Sequence, residues 1–144
     1  MVRKGASVTQ DNVWLETPLH CTLKRSSVDN GARLSVVKYL IKHGSKVKVV
    51  DENQLTPLML ASQKGLRDVC EVLLETDPDV LNMCAEDGAT AVMLACQSGC
   101  VDVVDLLLER GADLDHCAED GTMALHLASI AKVHLSQIKL KLKL

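Results

Sequence analysis

The 144-residue sequence contains no phenylalanine, one tryptophan (Trp14) and one tyrosine (Tyr39). A core must therefore be assembled from Leu, Val, Ala, Met and Cys. That palette suits closely stacked helices and fits poorly with a β-sandwich, whose strands recruit aromatic side chains. The same scarcity argues against binding single-stranded nucleic acid, which uses several aromatic platforms. Positive charge is not in excess: the net charge is −3, so no global basic field draws phosphate backbones. No apolar stretch approaches the roughly 18 residues that span a bilayer. The opening Met1-Val2-Arg3-Lys4-Gly5 has charge but no apolar run behind it, unlike a secretory signal. Six cysteines without secretory features read as reduced thiols. The expectation is a protein of the cytoplasm, with the nucleus as the alternative, without membrane or nucleic-acid partners. Its 47% hydrophobic and 24% charged composition fits one globular domain.

What is present is repetition. Cys84-Ala-Glu-Asp-Gly88 recurs letter for letter as Cys117-Ala-Glu-Asp-Gly121, a displacement of 33. Thr90-Ala-Val-Met-Leu-Ala95 corresponds to Met123-Ala-Leu-His-Leu-Ala128, Thr56-Pro-Leu-Met-Leu-Ala61 opens another unit, and Thr17-Pro-Leu-His20 opens the earliest. Second apolar runs follow at Leu34 to Ile41, Val69 to Leu74 and Val101 to Leu108, with helical spacing. Gly44 and Gly111 stand where those helices should be capped. The opening Thr predicts an N-cap, and Pro after it suits a first helical turn because it has no N–H to leave unpaired.

Thr-Pro-Leu-His, a glycine between two short apolar helices, Leu107-Leu-Glu-Arg-Gly-Ala-Asp113 and the 33-residue period together resemble ankyrin repeats, over about residues 12–131. The resemblance implies an all-α solenoid of stacked helix-turn-helix units joined by β-hairpin-like turns. Units are expected at about 12–50, 51–84, 85–117 and 118–144, the last incomplete, between a tail at 1–11 and an irregular one at 132–144. In this family the histidine is held near the opening Thr hydroxyl. Only the unit at Thr17 has all four letters; Met59 and Met93 replace His in the next two, and Met123 replaces Thr in the last. Thr17 to Thr56 is six residues over the period, and Ser26 to Gly31 reads as an inserted loop. Thr56 to Thr90 is one over, with Asp77-Pro78 in place of Gly-Ala. Ile138 to Leu144 alternates with period two and offers no polar outer face, which favours a piece of a longer array over an irregular cap.

Chemistry-bearing patterns are weak. Cys96 and Cys100, His116 and Cys117, and His20 and Cys21 lack zinc-type spacing, so no metal site is expected. His20, His126, Asp102 and Ser98 have no nucleophile elbow around them, and the glycines fall at repeat boundaries rather than in a phosphate loop. The reading is non-catalytic and without cofactor. Lys38, Lys42, His43, Lys46 and Lys48, with Lys24 and Arg25 earlier, concentrate positive charge; this is either a solvated outer face or a patch for an acidic partner. Asp51-Glu52, Glu86-Asp87 and Glu119-Asp120 place acidic pairs at the turn tips, either for solubility or to steer a basic partner. Trp14 either caps the first unit or serves as an exposed anchor.

The resemblance implies a monomeric protein-interaction module, a scaffold or adaptor, or else a short self-contained inhibitor like the four-repeat inhibitors of cyclin-dependent kinases. Mapped residue by residue, its exposed variable positions are Trp14, Glu16, Lys24 and Arg25 in the first unit. The second contributes Glu52, Asn53, Leu55, Gln63 and Lys64, and the third Glu86, Asp87, Ala89, Gln97 and Ser98. Glu119, Asp120 and Thr122 come from the fourth. These form the expected partner-binding surface.

Overall fold

The computed structural model describes residues 17–25 and 29–112. Among these residues six α-helices alternate as inner and outer members of three units: α1 (Pro18–Lys24), α2 (Asn30–Lys42), α3 (Pro57–Gln63), α4 (Arg67–Thr76), α5 (Ala91–Ser98) and α6 (Val101–Glu109). The inner helices α1, α3 and α5 pack side by side, and the outer helices α2, α4 and α6 form a second layer behind them. No strand occurs among the described residues, so the connections between units are turns with hairpin-like bonding. No helix among them is long and apolar enough to cross a membrane.

The inner helices begin as the sequence predicts, but their caps weaken along the chain. Thr17 forms a reciprocal capping box with His20, and its Oγ1 lies 3.0 Å from His20 Nδ1. Thr56 Oγ1 accepts from the Met59 N–H at 3.2 Å and has no histidine to hold. Thr90 makes no side-chain cap, and its buried hydroxyl has no partner. The helices themselves are short because only one layer of apolar residues has to be covered on each side. In α3, Pro57 through Ser62 are all buried. Among the described residues the core runs through Leu19, Leu23, Leu58, Met59, Leu73, Met93, Val103 and Leu107 without Tyr or Trp.

Gly44 and Gly111, expected at the ends of outer helices, have φ of +97° and +91°. The inserted loop is shorter than the sequence suggests. Asn30 and Gly31 belong to the first turn of α2, because Asp29 accepts from the N–H groups of Gly31 and Ala32 at 3.0 and 3.2 Å. Part of the surplus length thus goes into α2, which has 13 residues against 10 in α4 and 9 in α6. Arg33, buried in α2, ties the insertion at both ends: its guanidinium donates to the Arg25 carbonyl and to Asn30 Oδ1. The one-residue surplus of the next unit becomes a single 3-10 turn, Pro78–Val80, opened by Asp77 accepting from the Asp79 N–H.

Two of the described thiols have a packing role, whereas Cys84 is exposed and Cys21 and Cys100 are half-buried. Cys70 and Cys96 are fully buried, and burial pushes both thiols up to about 12. Such groups are protonated and poorly nucleophilic at neutral pH.

Candidate functional site

The turns between units are built by carboxylates that hold main-chain N–H groups. In the first described turn Asp51 N donates to Leu55 O at 3.1 Å, while Asp51 Oδ1 accepts from Asn53 and Leu55 N–H at 2.9 and 3.0 Å. In the next, Ala85 N donates to Ala89 O at 2.8 Å and Asp87 Oδ1 accepts from Ala89 N–H at 3.0 Å. The two tips are joined directly, Glu86 N–H donating to Asn53 O at 3.3 Å.

Asp51 corrects the sequence reading. The sequence pairs it with Glu52 at a turn tip, yet it is 0% exposed. The spacing of 34 between Thr56 and Thr90 places Asp51 opposite Ala85, so Asp51-Glu52 sits one position earlier than Glu86-Asp87. Only Glu52 shares the register of Glu86. Lys24 Nζ lies 3.0 Å from Asp51 Oδ2, crossing from the first unit to the second. Burial alone would raise the Asp51 carboxyl, but the Leu55 N–H, Lys24 and the Asn53 N–H together hold it below its ordinary value.

Between the second and third tips and helices α3 and α5 lies an open groove of about 600 Å³. Six residues of the expected surface line it: Asn53, Leu55, Gln63, Glu86, Asp87 and Gln97. Ala85 and Leu94 complete the lining and were not anticipated. Leu94 could have been found, since it stands three residues before Gln97 on one helix face. Glu52 is exposed at the same tip, whereas Lys24, Arg25, Lys64 and Ser98 lie outside the groove lining. Lys24 is half-buried against Asp51, and Lys64 Nζ donates to the Lys24 carbonyl at 3.0 Å. Ala89, also expected at the surface, is buried at 8% exposure because it closes the turn. Trp14, Glu16, Glu119, Asp120 and Thr122 lie outside the described residues.

A family model described as "Ankyrin repeats (3 copies)" matches residues 1–82 and 76–140. The chain belongs to the ankyrin-repeat family. Ankyrin repeats are generally protein-protein interaction modules, and the family is typically non-catalytic. Within the ankyrin frame, the groove chemistry is carboxylate and carboxamide over an apolar floor. Leu55, Ala85 and Leu94 supply the floor, Asn53, Gln63 and Gln97 can both donate and accept, and Glu86 and Asp87 supply negative charge. No cation lines it among the described residues.

Proposed function

We propose that the chain is a non-catalytic binding module that holds a basic, extended segment of another protein in the groove between its second and third units. The observation that carries this reading is the groove lining among the described residues: two carboxylates and three carboxamides around an apolar floor, with no cation. An extended segment presents free main-chain N–H and C=O groups, which Asn53, Gln63 and Gln97 suit in both directions. A Lys or Arg of that segment would lay its stem on Leu55 and Leu94 and bring its charge to Glu86 and Asp87. Rim charges of this kind act mainly on association rate and selectivity.

A photo-crosslinking residue at Gln97 of the full chain, introduced in cells, tests the reading. The expected result is capture of a protein that is lost in the Glu86→Lys, Asp87→Lys double variant and is not captured from Asp68 on α4. Equal capture from Asp68, or capture insensitive to the double charge reversal, would overturn it.

A further inference from the structure

The outer helix α2 has an exposed face that the groove does not use. From Asn30 to Val50 there are five cationic side chains (Arg33, Lys38, Lys42, Lys46, Lys48) and no acidic one; outside this run the chain has 11 cationic and 19 acidic residues, a balance of −8. Arg33 is buried, and the four lysines are exposed. None of those lysines makes an ion pair or side-chain hydrogen bond among the described residues. The other two outer helices differ in sign: α4 carries Asp68, Glu71 and Glu75 against Arg67, and α6 carries Asp102, Asp105 and Glu109. Arg110, after α6, lies 3.8 and 3.9 Å from Glu71 and Glu75.

The same helix holds the exposed large hydrophobic residues. Tyr39 is 49% exposed and Val36 37%, and these two are the exposed large hydrophobics among the described residues. Ala32, Val36, Tyr39 and His43 are all exposed at spacings of four, three and four, which places them along one side of the helix. Arg33, Val37 and Leu40 face the core. The stripe extends over about 16 Å at the helical rise. Its far end is ordered: the Tyr39 and His43 rings stack with centroids 4.1 Å apart, and His43 Nδ1 lies 2.8 Å from Tyr39 O. Lys38 and Lys42, four apart, flank the stripe on one side.

We propose that this face of α2 seats an acidic amphipathic helix of another protein. An apolar seam of about two helical turns, Ala32 to Tyr39, continued by the His43 ring and lying beside a row of cations, matches a helix with apolar residues on one side and carboxylates along an edge. Val36 and Tyr39 meet its apolar residues, Lys38 and Lys42 its carboxylates, and the stacked Tyr39–His43 pair is pre-ordered for contact. A helix covers α2 alone and avoids the acidic faces of α4 and α6. A flat anionic membrane would have to approach that negative remainder as well, which disfavours a lipid surface.

The test uses the intact chain and a fluorescent 18-residue peptide with leucines at helical spacing and glutamates on the flanks. A scrambled peptide of identical composition and phosphatidylserine vesicles serve as competitors to the reading. Binding of the amphipathic peptide is expected to weaken roughly tenfold or more in Lys38→Glu, Lys42→Glu and about fivefold in Tyr39→Ala, as for a charge pair and an aromatic anchor at an interface. These positions are exposed, so circular dichroism should show the fold retained. Equal binding of the scrambled peptide, insensitivity to the lysine reversals, or capture by vesicles but not by the peptide would each overturn the proposal. The groove experiment reads different residues, so the two proposals fail separately.

Discussion

His20 Nε2 lies 2.9 Å from the main-chain oxygen of Leu55, joining the first inner helix to the turn of the second unit. The Thr17 N–H donates to His20 Nδ1 at 3.3 Å, so Nδ1 is the acceptor and Nε2–H the donor. One ring therefore closes its own helix cap and holds the neighbouring unit. The next two units place Met59 and Met93 at this position, both fully buried, and have only apolar packing there.

Replacing His20 with Met gives the first unit the same side chain as its neighbours. The substitution fits by volume but removes a partner from both the Thr17 N–H and the Leu55 carbonyl. The expected cost is about 1–3 kcal/mol, read as a lower urea midpoint with an unchanged slope. A variant as stable as the parent would mean that the bridge contributes nothing net.

The cap gradient makes a paired prediction. Thr56→Val removes an acceptor from the Met59 N–H and should cost about 1 kcal/mol. Thr90→Val replaces a buried hydroxyl that has no partner and should be neutral or slightly stabilising. Thermal denaturation of the two variants side by side checks this; equal losses would contradict the structure.

Asp51 makes stability depend on acid. Its folded carboxyl titrates below the ordinary 3.8, so its contribution is complete above that value and disappears as pH falls through the lowered one. The stability gap between the parent and Asp51→Ala should be roughly 2–4 kcal/mol near neutral pH. It should shrink steadily below about pH 4. A gap unchanged down to pH 2 would show that the carboxylate charge is irrelevant.

Gln54 is the one described residue other than glycine with positive φ, at +62°. Gly88, at the matching position of the next tip, has φ +84°. A left-handed conformation costs a side chain roughly 1–2 kcal/mol, part of which glycine recovers despite its larger unfolded-state entropy. Gln54→Gly should therefore stabilise the chain by about 0.5 kcal/mol, a melting-point rise of a few degrees at most. Destabilisation would show that the glutamine side chain contributes more than the strain removes.

The features legible in the sequence were those that recur. Thr17, Thr56 and Thr90 start helices, Gly44 and Gly111 end them, and Leu107-Leu108 fall on a buried stripe and its edge, because period and type repeat together. Positions that depart from the repeat were harder to place. Asp51 reads as half of an exposed acidic pair until the one-residue surplus before Thr90 is traced through the register. Gln54 carries no sign of left-handed backbone, because the turn imposes it. Arg33 reads by residue type as a surface cation, and its burial follows from its bonds to the Arg25 carbonyl and Asn30 Oδ1, which a repeat pattern does not encode. Of the groove, the polar rim was readable from turn position, while Ala85 and Leu94 were missed because they act by shape rather than by charge.

The bond from Glu86 N–H to Asn53 O has a consequence for how the binding surface can diverge. It uses main-chain atoms only, so almost any side chain can occupy positions 53 and 86 without disturbing it. Proline at 86, which lacks the donor, is the exception. The interval from one tip to the next is thus insulated from sequence drift. Descendants of this chain can change the chemistry they present to a partner while the spacing at which they present it stays constant.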